Sequence, residues 1–332
     1  MMENCPSSNN LKVLCLLFIA TLLISGCGKN KGDVLDPGKI IYSGSEGVML
    51  EFALNAPPER VTAGQEFPIL VKLTNKGAVN VVGAFLVITA ESPRFETLNY
   101  NTIIGTREEP LEGKEANYVG GMLMYEVKET AALFPTGTVD QPSSLNGVIM
   151  ATVCYNYTTK FSTSACIDVE PYTLKNTVKA CEMETMTLKD QGAPIAVTKI
   201  GTSVVVKGDG ATKTKTPQFK IFFQNLGRGL TVDPGKILSA CSSATSDVTK
   251  DLYNVVYIKG KLGEDDLDCD IFAPGTDGKR TITDNSDENY FLCQSSNPIG
   301  ETTGSFVTDI NLTLSYGYTE TISKIIKIEG QS

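Results

Sequence analysis

Residues 149–158, IMATVCYNYT, and residues 310–319, INLTLSYGYT, align without a gap. Ile149 falls on Ile310, Thr152 on Thr313, Tyr155 on Tyr316 and Tyr157 on Tyr318. Apolar and polar side chains alternate in both, the period of a half-buried strand. Each copy is followed, after a short break, by another strand-like run, CIDV at 166–169 and IIKI at 325–328, so each reads as a hairpin. An earlier pair of segments repeats in the same order. EFPILVKLTNKG (66–77) sets Phe67, Ile69, Val71 and Leu73 at period two before Asn75-Lys76-Gly77, and QFKIFFQNLG (218–227) sets Phe219, Ile221 and Phe223 before Asn225-Leu226-Gly227. Asn-x-Gly supplies residues that tolerate positive φ in a turn. Two matches in the same order predict one all-β design built twice.

The remaining apolar runs agree. GVMLEFAL (47–54), VVGAFLVITAE (81–91), GGMLMYEV (120–127), AVTKIGTSVVVKG (196–208) and LYNVVYIKGKLG (252–263) are strand candidates separated by Gly, Pro, Asn and Asp. Short strands at this spacing point to β-sandwiches. The stretch PPERVTAGQEFPILVKLTNKG (57–77) resembles the opening of immunoglobulin-like, cell-adhesion-related domains of prokaryotic surfaces. The resemblance implies two tandem immunoglobulin-like β-sandwich domains, at 39–174 and 175–332. Over nearly its whole length the chain also resembles archaeal cell-surface lipoproteins.

The N-terminal segment predicts export. Val13–Ile24, VLCLLFIATLLI, is preceded by Lys12 and followed by small residues. A membrane-spanning helix needs ~20 apolar residues, so this run is too short to cross and fits the apolar region of a signal peptide. Ile24-Ser25-Gly26-Cys27 resembles the lipobox of prokaryotic lipoproteins. That resemblance implies cleavage after a signal peptide at 1–26 and a diacylglyceryl thioether on Cys27. An ordinary signal peptide with an incidental cysteine is the plainer alternative. The next residues, GKNKGDVLDPGK (28–39), are polar and rich in glycine, which suits a tether over 27–38.

Composition narrows the function. The formal charge of −9 repels nucleic-acid phosphates, so no nucleic acid is expected as a partner. The chain has no histidine, and therefore none of the Ser-His or Cys-His nucleophile systems and no imidazole metal ligand. It has no tryptophan either. No cofactor and no metal are expected.

Nine cysteines are present; the lipobox resemblance implies that Cys5 and Cys15 leave with the signal peptide and that Cys27 carries lipid. Cys154, Cys166, Cys181, Cys241, Cys269 and Cys293 remain, an even number in an exported chain and the mark of disulfides. A hairpin turn near Lys160 would set Cys154 opposite Cys166, within bonding reach. Parity then turns Val153, Tyr155, Tyr157, Ala165 and Ile167 to the core and both cysteines outward; Ser315 and Lys327 match the cysteines in the second copy. Cys269 and Cys293 flank a loop-rich stretch, and Cys181 pairs with Cys241 by elimination.

Two glycosylation sequons begin at Asn156 and Asn311, and parity turns both side chains to solvent. The acidic runs GEDDLDCD (263–270) and DNSDENY (284–290) lack the ligand order of a calcium loop and read as solvated turns. The four tyrosines of the repeat face the core rather than forming a sugar platform. The expectation is a non-enzymatic, lipid-anchored surface protein with a structural or adhesive role. Its partners would be the membrane, through the lipid on Cys27, and surface proteins, glycans or other copies of itself. A solute- or carbohydrate-binding lipoprotein is the alternative, and a secreted hydrolase using paired carboxylates the third reading.

Overall fold

The computed structural model describes residues 42–330 apart from 97, 134–143, 171–177, 190, 210–212, 242–251, 270–277, 284–288 and 301–303. Among the described residues sixteen strands follow in chain order. The first seven are β1 (Val48–Phe52), β2 (Arg60–Thr62), β3 (Glu66–Asn75), β4 (Ala84–Ala90), β5 (Asn99–Ile104), β6 (Met122–Thr130) and β7 (Ser144–Ile167). Next come β8 (Met186–Thr187), β9 (Ile195–Lys207), β10 (Thr214–Asn225) and β11 (Leu230–Val232), then a short helix, α1 (Ile237–Cys241). The chain closes with β12 (Val255–Leu262), β13 (Asp265–Asp268), β14 (Lys279–Thr281), β15 (Tyr290–Ser295) and β16 (Phe306–Glu329).

One sheet has the order β1-β3-β6, and the other runs β5-β4-β7-β16-β12-β13-β15-β10-β9-β8, with β2, β11 and β14 beside it. The duplication read from the sequence is visible in the pairing. β3 lies between β1 and β6 as β10 lies between β9 and β15, and Val48 pairs with Asn75 as Ile195 pairs with Asn225. β4 pairs with β7 as β12 pairs with β16. The alternating residues Phe67, Ile69, Val71 and Leu73, like Phe219, Ile221 and Phe223, are buried in a single core cluster that runs through both halves. Residues 37–332 group as one compact unit.

The two hairpins expected at the repeat are absent. IMATVCYNYT and INLTLSYGYT are the middles of two uninterrupted strands of 24 residues, β7 and β16, which pair with each other antiparallel along their whole length. The reason is local. YNYTTKFSTSA (155–165) contains neither Gly nor Pro and is rich in Thr and aromatics, so nothing in it turns the chain. The parity argument survives: Val153, Tyr155, Tyr157, Ala165 and Ile167 are all buried.

The disulfides change accordingly. Cys154 and Cys166 lie on one strand, twelve residues and so about 40 Å apart, and cannot bond. Cys154 joins Cys241 instead (Cα–Cα 5.8 Å), and Cys166 joins Cys181 (5.9 Å), which also corrects the pairing of Cys181 with Cys241. Cys269 is bonded to Cys293 (4.0 Å). Cys154 does point away from the main core, yet it is fully buried, because α1 of the second half lies over it. Val232, Ile237 and Cys241 close on it there, with Phe85 and Val87 alongside.

Candidate functional site

The centre of the β7–β16 junction is a quartet of tyrosines. Tyr155 is opposite Tyr318 and Tyr157 opposite Tyr316, with ring centroids 5.9 and 6.2 Å apart. Each hydroxyl accepts a backbone N–H, two from the first residues of strands and two from loops: Val48 of β1 to Tyr155 (2.9 Å), Ile195 of β9 to Tyr316 (3.3 Å), Val79 to Tyr157 (3.1 Å) and Gly229 to Tyr318 (2.8 Å). The Asn-x-Gly turns complete the arrangement twice over. Asn75 Nδ2 donates to Val79 O and Asn225 Nδ2 to Gly229 O, both at 2.8 Å, while Gly77 N and Gly227 N donate to the same two side chains. A Cβ at Gly77 or Gly227 would overlap the hydroxyl of Tyr157 or Tyr318, so glycine is required for the close approach.

Burial pushes all four phenols up, Tyr318 to about 12, although the donated N–H groups work the other way. Neutral, buried and hydrogen-bonded, these hydroxyls hold the starts of β1 and β9 and the loops at Val79 and Gly229 to β7 and β16. They are not placed to contact a sugar or accept a substrate proton.

The sequence-derived surface residues are scattered. Asn156 and Asn311 are exposed, as parity requires. Asn156 opens into a hollow of about 400 Å³ walled by Val79, Val82 and Pro234 and floored by Thr158 and Ser315. In the acidic run, Asp265 Oδ1 accepts from Asn297 (2.6 Å) and Asp266 faces Lys261 (3.7 Å). Among the described residues no three His, Cys, Asp or Glu side chains gather as a metal site. Cys27 and residues 284–288 lie outside the described residues. No described helix is long and apolar enough to cross a membrane.

Two surface features escaped the sequence. One is the outward edge of β6, which among the described residues pairs along Met122–Thr74 to Thr130–Glu66 only with β3. Even-numbered positions turn their backbone groups to that edge, as Glu96 N–H donating to Thr130 O (3.1 Å) and Ala132 N–H donating to Arg94 O (3.0 Å) demonstrate just beyond it. Met122 and Met124 stand exposed there. The other is a cluster of Lys199, Lys220, Phe222 and Tyr290 on the outer face of β9, β10 and β15. Only the strand register brings these four together, although lysine alternating with phenylalanine in QFKIFF was a usable signal.

No family model matches the chain, and no curated protein matches it. Among solved structures, a match is found to the CupB6 tip adhesin from Pseudomonas aeruginosa. It has 11% identity and a TM-score of 0.13, and covers 87% of this chain and 96% of that one.

Proposed function

We propose that the protein is a non-enzymatic cell-surface lipoprotein with a structural or adhesive role, its two immunoglobulin-like halves held off the membrane by a lipid on Cys27. The observation that supports this reading most is the bracing of the two halves. A 24-residue strand pairing and a disulfide from Cys154 in one half to Cys241 in the other make one stiff body. Disulfides persist in oxidising compartments and are rare in the cytosol, which fits a surface location. Asn156 and Asn311, both exposed, are the proposed glycan carriers.

The test compares the wild-type protein with Cys27→Ser in cells. The wild type should fractionate with membranes, carry a lipid-sized mass on a peptide beginning at Cys27, and support cell attachment. Cys27→Ser should be released, with attachment lost. A native N-terminus at Met1, or attachment unaffected by release, overturns the reading. The edge of β6 around Met122 and Met124, unpaired among the described residues, supports a variant in which copies join edge to edge, since exposed strand edges recruit further strands.

A further inference from the structure

On the outer face of the β9-β10-β15 layer the register builds a small grid. Phe222 lies between Lys199 and Tyr290, Lys220 between Gly201 and Leu292, and Gln218 between Ser203 and Gln294. The residues between them in sequence, Ile200, Phe219, Ile221, Phe223, Phe291 and Cys293, are buried, so this grid faces solvent. Lys220 Nζ sits 4.0 Å from the Tyr290 ring centroid and 4.8 Å from that of Phe222; Lys199 Nζ lies 4.6 Å from the same Phe222 ring. Ring faces attract cations, which holds both ammonium groups over one aromatic pair.

Two like charges share this ring. Among the described residues neither lysine forms an ion pair, while nine other pairs occupy lysines and arginines elsewhere. In a chain of net charge −9 this is an uncompensated positive spot. An anionic group seated beside Phe222 would meet both ammonium groups. Beside Lys220, Gly201 leaves a shelf: nothing stands within 4 Å of where its Cβ would be. Gln218, Gln294 and Ser203 supply neutral donors and acceptors along the same face.

We propose that this face binds an acidic polysaccharide, a polymer of carboxylated sugars, with a carboxylate meeting Lys199 and Lys220 and sugar rings along Phe222, Tyr290 and the Gly201 shelf. The face spans β9, β10 and β15, and its polar groups follow the strands, which suits an extended chain of hydroxylated rings. A membrane surface would call for protruding apolar side chains, whereas Phe222, Tyr290 and Leu292 are all half-buried. The proposal rests on the adhesive reading and names its ligand.

The experiment titrates the Cys27→Ser protein, which lacks the lipid attachment point, with polygalacturonate, with neutral dextran, and with vesicles of anionic phospholipid. Polygalacturonate should bind saturably, more weakly as salt rises, and dextran should not. Lys199→Glu/Lys220→Glu should lose at least tenfold in affinity with its melting temperature unchanged, and Lys259→Glu, on the exposed side of β12, should bind as wild type. Equal binding by the double variant, no saturable binding, or a preference for the vesicles would each overturn the proposal. Cell attachment separates this failure from that of the broader reading. Attachment that depends on the lipid anchor but survives Lys199→Glu/Lys220→Glu refutes the polysaccharide site and leaves adhesion standing.

Discussion

Tyr155 lies directly opposite Tyr318 across the junction of β7 and β16, although the sequence repeat equates Tyr155 with Tyr316. Tyr157, the counterpart of Tyr318, correspondingly lies opposite Tyr316. Such an exchange is what a two-fold axis produces, and the axis passes between Asn156 and Gly317, which face each other and are themselves counterparts. The two halves thus meet as the subunits of an isologous dimer do.

Removing a hydroxyl at this junction leaves a buried N–H without its acceptor. Tyr155→Phe and Tyr316→Phe should each destabilise by about 1–3 kcal/mol, the cost of orphaning one buried donor. The two losses should be similar, because Val48 and Ile195 donate in equivalent ways. Chemical denaturation of each variant measures this, and a neutral effect at either site contradicts the arrangement.

Peptide mapping without reduction should recover the linkages Cys154–Cys241, Cys166–Cys181 and Cys269–Cys293. The first closes the longest loop, with a sequence separation of 87. In the chain-entropy picture a loop of that length is worth about 4–5 kcal/mol. Cys241→Ser should therefore lower the melting temperature more than Cys181→Ser. A peptide linking Cys154 to Cys166 would contradict the fold.

Glu129 is 5% exposed, and its Oε2 has no hydrogen-bond partner, while Oε1 accepts from Thr130 N–H (2.7 Å). Burial raises its pKa above the ordinary 4.5, with Glu96 adding to the effect and the Thr130 N–H opposing it. A raised folded-state value means the folded protein binds this proton more tightly than the unfolded chain. The stability it contributes is full below the ordinary carboxylate range and is lost as pH rises through the folded value. Glu129→Gln should therefore stabilise at pH 7, as read by thermal melts, with its advantage shrinking as pH falls through the raised folded value toward 4.5 and absent below it. A constant difference across this range would be inconsistent with a titrating Glu129.

Lys215 and Glu170 form an ion pair (3.1 Å) with unequal burial: the lysine side chain is 5% exposed and the glutamate 55%. Glu170→Gln strands a buried ammonium and should cost about 1–3 kcal/mol. Lys215→Met removes the buried charge altogether and should be near neutral or stabilising. The opposite order in denaturation experiments would show that the pair is held for another reason.

The legible part of this fold was the period of its strands. Phe67 to Leu73 and Phe219 to Phe223 announced their buried faces through alternation alone, and parity about Tyr155 and Tyr157 held even where the topology did not. The turn expected near Lys160 is continuous strand: Lys160, Ser162 and Ser164 line its solvent-facing side, Thr159 is buried and hydrogen-bonded, and β-branched Thr159 and Thr163 favour extension. The partner of that strand lies more than a hundred residues away, and no local pattern announces it. Cys241 sits in a five-residue helix whose placement over Cys154 depends on the joining of the halves. Lys199 and Phe222 meet only through a register that shifts at a bulge beside Phe222 and Phe223.

The bond from Cys154 to Cys241 closes a covalent ring containing the rest of β7, the crossover into the second half, and β9, β10 and β11. A protease that nicks this ring once, at any peptide link, would leave both fragments attached through sulfur. The molecule can thus be cut and stay whole, with severance visible only on a reducing gel.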